Sequence, residues 1–184
     1  MVDSSQLDQI LQQYYQSFTK KVYTDENNET DLLMDIFDIT PELKRQNRQY
    51  WGRELGMCWQ KLVIEVCRQT CDDFSPALKF NGNQPCDLIV GQRAIDTKYR
   101  IGSGDSGTLK KFKTYGKLLK EQDYQPILLI VREDNLPAAL RACESSGWTI
   151  FTGESTFEYL TQLTGFDLKV YLTVKASAYK IDRV

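Results

Sequence analysis

The chain has no histidine anywhere in its 184 residues. Serine–histidine–aspartate and cysteine–histidine catalysis are therefore excluded, and with them histidine-based nuclease chemistries and nearly all catalytic zinc sites. Any hydrolytic chemistry must rest on Asp, Glu, Lys, Tyr, Ser or Cys, with or without a hard metal ion. Cysteine is sparse and odd in number: Cys58, Cys67, Cys71, Cys86 and Cys143 show no CxxC spacing. They read as reduced thiols, not as a zinc site or a disulfide framework. No apolar run reaches the ~18 residues needed to span a bilayer, so no membrane association is expected. Met1-Val2-Asp3-Ser4-Ser5 lacks the basic-then-apolar pattern of a secretory leader, and a cytoplasmic location is expected. A Walker A phosphate loop is also missing.

What is present is a soluble, globular balance of 41% apolar and 26% charged residues,. The length fits one domain, residues 1–184, with a helical part over about 1–48 and a core over about 49–184. The net charge of −2 conceals an uneven distribution. Residues 1–39 carry eight acids and two lysines, a sum of −6. Residues 98–120 carry seven basic residues (Lys98, Arg100, Lys110, Lys111, Lys113, Lys117, Lys120) against Asp105, a sum of +6. A local basic stretch of this kind binds phosphate whatever the whole-chain sum.

Periodicity predicts an amphipathic helix from Ser4 to about Tyr23, with Leu7, Ile10, Leu11, Tyr14, Tyr15 and Phe18 at helical spacing,. A short helix follows at Leu32–Phe37. Thr40-Pro41 starts a further helix, with a capping threonine and proline at the first helical position. It is expected to run to about Gln69. A short strand is expected at Ala77–Phe80, strands at Asp87–Val90 and Ala94–Ile101 about a Gly91-Gln92 turn, and a basic helix from Thr108 to about Gln122. Pro126–Val131 is almost wholly apolar, as in a strand buried on both faces. A helix at Leu136–Ser145, a strand at Trp148–Phe151, a helix at Thr156–Leu163 and a last strand at Leu168–Val174 complete the reading. The order predicts an α/β (α+β) fold with a mixed central sheet flanked by helices.

The informative segment is Pro85-Cys86-Asp87 followed by Asp96-Thr97-Lys98. Asp96 and Lys98 are two apart on one strand, so their side chains share a face. A hairpin brings Asp87 beside Asp96. Two close carboxylates repel unless a cation lies between them. Mg²⁺ suits such a pair, because it takes oxygen ligands, keeps several waters and binds phosphate.

The pattern PCD…DTK resembles the PD-(D/E)xK nucleases. The resemblance covers residues 50–131 and implies a restriction-endonuclease-like core. It makes Asp87 and Asp96 metal ligands, joined by the main-chain carbonyl of Thr97, with Mg²⁺ as cofactor. Lys98 becomes the catalytic lysine that positions or activates the attacking water. Cys86 separates Pro85 from Asp87, which breaks the literal motif at a residue without chemical duty. Many members add an acid from the helix before the hairpin. Glu54 is favoured here, in Trp51-Gly52-Arg53-Glu54-Leu55-Gly56, because its small neighbours permit close approach to the sheet. Glu65 and Gln60 remain alternatives. The run Ile95-Asp-Thr-Lys-Tyr-Arg, followed by Gly/Ser and a lysine-rich helix, is similar to the ApaLI-like restriction endonucleases.

That resemblance implies a type II restriction endonuclease acting on double-stranded DNA. A structure-selective or repair nuclease of the same fold is one alternative, and a non-catalytic DNA-binding module is another. Expected DNA contacts are Arg100, Ser103, Asp105, Ser106, Lys110, Lys111 and Lys113, the lysines touching phosphates without reading sequence. Gly102-x-Gly104-x-x-Gly107 matches the dinucleotide fingerprint literally. The strand before it carries Asp96, Lys98 and Arg100, which a buried first Rossmann strand would not, so no nucleotide cofactor is expected. Asp105-Ser106-Gly107 matches the aspartic-protease triplet but follows Gly-Ser-Gly in place of an apolar strand. Cutting both strands of a palindromic site is simplest with two symmetric centres, so a homodimer is expected, with the N-terminal amphipathic helix as its interface.

Overall fold

The computed structural model describes residues 4–20, 23–77, 79–80, 82–103 and 106–181. Four helices lead: α1 (Ser4–Lys20), α2 (Leu32–Phe37), α3 (Pro41–Gln46) and α4 (Arg48–Thr70). The chain then alternates through β1 (Phe74–Pro76), β2 (Leu88–Val90), β3 (Arg93–Lys98), α5 (Ser106–Glu121), β4 (Gln125–Ile130), α6 (Pro137–Glu144), β5 (Thr149–Thr152), α7 (Glu154–Thr164) and α8 (Leu168–Val174). The five strands form one mixed sheet in the order β1-β2-β3-β4-β5. The first three are antiparallel, and β3, β4 and β5 run parallel.

The sheet separates two apolar layers. On one face Leu88, Val90, Ile95, Ile127 and Leu129 pack against α4, α2, α7 and α8. Trp59 anchors that layer: it is fully buried, donates its indole N–H to Leu129 O at 3.3 Å and meets Phe157 edge-on at 5.5 Å. On the other face Ile89, Ala94, Leu128 and Ile130 pack against α5 and α6, where Trp148 donates to Phe112 O at 2.9 Å. Strand β4 is covered on both sides, as its apolar run predicts,.

Several local expectations are corrected. The helix from Thr40 breaks at Asn47, which leaves helical geometry (φ −152°, ψ 74°) and accepts the Tyr50 N–H on its side chain. An asparagine that caps a new helix ends the old one. The first strand lies at Phe74–Pro76 and not at Ala77–Phe80; Phe80 instead exchanges two backbone hydrogen bonds with Asn83. Leu168–Val174 is helix α8 and not a strand. Its β-branched content suggested extended chain, but Asp167 caps the Val170 N–H, and Leu168 and Leu172, four apart, are buried while Val170 and Val174 face outward. That four-residue period fits only a helix. Among the described residues no helix is long and apolar enough to cross a membrane.

Candidate active site

The β2–β3 hairpin pairs Leu88 with Ile95 and Ile89 with Ala94. Extending that register by one residue sets Asp87 opposite Asp96, and Asp87 N–H donates to Ile95 O at 2.8 Å. The two carboxylates meet at one peptide. Thr97 N–H lies 2.8 Å from Asp87 Oδ2 and 3.0 Å from Asp96 Oδ1, and the Thr97 hydroxyl adds a bond to Asp87 Oδ2 at 2.7 Å. The Lys98 ammonium donates to Asp96 Oδ1 at 2.8 Å and to Thr97 O at 2.9 Å. It also lies 5.8 Å from the centre of the Phe112 ring on α5.

Burial sets the electrostatics. The Asp96 side chain is 12% exposed. Removal from water pushes its carboxyl up, Lys98 opposes this, and nearby Asp87 adds to it, so the group titrates at about 7,. Burial alone would lower Lys98, but Asp96 and Asp87 outweigh it and hold the ammonium above its usual range. One amine thus serves two acids, and the site is short of positive charge.

Helix α4 contributes Gln60, which donates to Asp87 Oδ1. Glu54, favoured from sequence, is not brought to the pair: it is exposed and bonded to Arg53 at 3.0 Å. Glu65 is also exposed, and hydrogen bonds from Arg68 and Gln69 hold it at about 2. At about 100° per residue, Glu54 and Glu65 lie on the flank of α4 opposite to Gln60. Leu55, Trp59 and Val63 are buried between the flanks and fix which of them faces the hairpin.

The expected DNA contacts divide. Lys110, Lys111 and Lys113 are exposed on α5. Ser103 forms an isolated bridge with Tyr23. Asp105 and the Ser106 side chain lie outside the described residues. Arg100 is largely committed elsewhere: its Nε donates to Asp134 O and Oδ2, and its second arm to Thr24 O, Thr24 Oγ1 and Asp25 O.

Arg100 borders an ionic cluster that the sequence did not reveal. Arg132, 3% exposed, bonds Asp31 at 3.2 Å and Asp134 at 2.8 Å. Lys44 pairs with Glu26 and donates to the Tyr99 hydroxyl, which donates to Asp31. Burial lowers Lys44 despite Glu26. Three cations (Lys44, Arg100, Arg132) balance three acids (Glu26, Asp31, Asp134), as charges withdrawn from water must. The cluster straps residues 24–31 across the ends of β3 and β4.

A cleft of about 490 Å³ opens between α4, this strap and the end of β3. Arg48, Gly52, Arg53, Gln60, Thr97 and Lys98 are among its walls. It reaches Gln60, Thr97 and Lys98, the residues that bond the two hairpin carboxylates.

No family model, no curated protein and no solved structure matches this chain.

Proposed function

We propose that this chain is a Mg²⁺-dependent endodeoxyribonuclease of the PD-(D/E)xK type, a type II restriction endonuclease that hydrolyses phosphodiester bonds in double-stranded DNA. The observation that carries the reading is the convergence of Asp87 and Asp96 on one peptide N–H, with the Lys98 ammonium on Asp96 and Thr97 O. The resemblance implies a core in the order helix, hairpin, basic helix, apolar strand. The succession α4, β2–β3, α5, β4 supports a restriction-endonuclease-like identity for the mixed sheet.

The donor set suits a hard cation. Asp87, Asp96 and Thr97 O offer only oxygen, and a buried acid held at about 7 marks a place where added positive charge is favourable,. Among the described residues no group of three His, Cys, Asp or Glu surrounds such a point. Two carboxylates and a carbonyl would hold Mg²⁺, which ordinarily keeps several waters and takes substrate phosphate oxygens. When bound, the ion supplies charge neutralisation at the phosphate and lowers the pKa of water.

The chain's own residues supply the remainder. Gln60 and Thr97 fix the orientation of Asp87 through three hydrogen bonds. Lys98 presents an ammonium that orients the attacking water and stabilises charge developing on the phosphate. Lys110, Lys111 and Lys113, exposed on α5, contact the DNA backbone, and Arg100 lines the cleft that reaches Lys98,. The exposed Leu11, Tyr14, Tyr15 and Phe18 of α1 offer an apolar face for a homodimer with two cleavage centres,.

The test is digestion of long sequenced duplex DNA in Mg²⁺. Discrete fragments are expected from the wild type and none from Lys98→Ala or Asp96→Asn. Cleavage confined to junctions or flaps would replace the restriction reading with a structure-selective nuclease. Undiminished cutting by Lys98→Ala would exclude the assignment.

A further inference from the structure

We infer that the cleft between α4 and the end of β3 seats the sugar–phosphate backbone flanking the cleaved bond, with Arg48 and Arg53 as its phosphate contacts. This rests on the nuclease reading and assigns residues beyond it. The cavity of about 490 Å³ reaches Gln60, Thr97 and Lys98, so a chain lying in it ends beside the residues that hydrogen-bond Asp87 and Asp96.

The cleft's charges select an anion. Arg100 is held by Asp134 and the 24–25 backbone, and Lys98 by Asp96. Glu26 is taken by Lys44. Two cations on α4 remain for a ligand. Arg48 is exposed and has no ion pair among the described residues. Among the described residues Arg53 pairs with its neighbour Glu54 and lies 5.9 Å from the centre of the Tyr50 ring, at the open surface, where such an ion pair yields readily to phosphate,. The exposed carboxylate lining the cleft is Asp25, on the strap, so a polyanion is drawn to the α4 wall.

That wall is shaped for a polymer. Arg48, Gly52, Gly56 and Gln60 are spaced by four and run as one line down the helix. A Cβ at Gly52 would meet nothing within 4 Å, and one at Gly56 only Tyr99 Cβ at 3.5 Å. Internal packing therefore does not demand glycine at either position, and glycine is a poor helix former. The two arginines select the anion, and the glycines let its backbone lie against the helix. From residue 48 to residue 60 the helix rises about 18 Å at ~1.5 Å per residue. That is the axial length of about five nucleotides of one strand at ~3.4 Å each.

The experiment measures binding of a fluorescein-labelled DNA duplex by anisotropy over a range of salt, with Ca²⁺ in place of Mg²⁺ to separate binding from cutting. Arg48→Ala is expected to weaken binding about fivefold at moderate salt and to lower the slope of log affinity against log salt by about one. Gly52→Leu is expected to weaken binding about tenfold while its thermal midpoint holds or rises, because leucine favours the helix and its Cβ enters open space. If the wild type binds and cuts DNA while both variants match it in affinity and slope, this inference fails and the nuclease reading stands. If the wild type neither binds nor cuts, both fall. If Gly52→Leu proves less stable, the salt slope of Arg48→Ala decides.

Discussion

Replacing Asp96 with asparagine should stabilise the metal-free protein while abolishing its activity. Asp96 titrates at about 7 in the folded chain, against ~3.9 when unfolded,. Its folded pKa is raised, so native stability falls as pH climbs from the unfolded value to the folded one and is flat beyond. Linkage puts the loss at about 1–2 kcal/mol at pH 5 and about 4 kcal/mol at pH 8. Asparagine is neutral throughout and escapes that loss. It keeps an acceptor for the Thr97 N–H and the Lys98 ammonium, though a weaker one,. Relative to wild type, the variant should therefore gain about 2–3 kcal/mol between pH 5 and pH 8. For a chain of this length that is a relative rise in thermal midpoint of about 5–10 °C. The assay is thermal unfolding of both proteins in EDTA at the two pH values, repeated at pH 8 with saturating Mg²⁺. Added Mg²⁺ should raise the wild-type midpoint and leave the variant unchanged. A variant whose midpoint falls relative to wild type on going from pH 5 to pH 8, or shows no pH-dependent difference, would refute the reasoning.

Three further outcomes are expected. The Lys98 ammonium occupies two of the oxygens assigned to the metal, so Lys98→Met should bind Mg²⁺ about fivefold more tightly by titration calorimetry while losing cleavage,; equal or weaker binding would show that the amine does not compete. Gln60→Leu removes a hydrogen bond that fixes Asp87 and should cut the cleavage rate at least about tenfold, whereas Glu54→Ala should stay within about twofold of wild type,; the reverse ranking would restore Glu54 as the helix-borne residue. Arg132→Met leaves Asp31 and Asp134 buried without their guanidinium and should cost about 3–5 kcal/mol in urea unfolding,; a loss below about 1 kcal/mol would show that the strap holds without its ionic cluster.

The sequence by itself determined what depends on neighbours along the chain. The strand period placed Asp96 and Lys98 on one face, the Gly91-Gln92 turn set Asp87 across from them, and an unbroken apolar run marked β4 as covered on both sides,. The absence of histidine narrowed the chemistry before any fold was considered. The tertiary structure decided what depends on contacts between distant segments. Helical spacing gives α4 two polar flanks, and only the packing of Leu55, Trp59 and Val63 turned Gln60 toward Asp87 and Glu54 away. Residues 26–31, 44, 100 and 132–134 come from four separated stretches of the chain, and the pairing between those stretches emerged only when the strap crossed the ends of β3 and β4. The same crossing committed Arg100, which reads as a free cation in the sequence, to internal bonds. Periodicity is a local property that a chain carries in its order. Which face meets which, and which charges lose their water together, is settled by burial that many segments share.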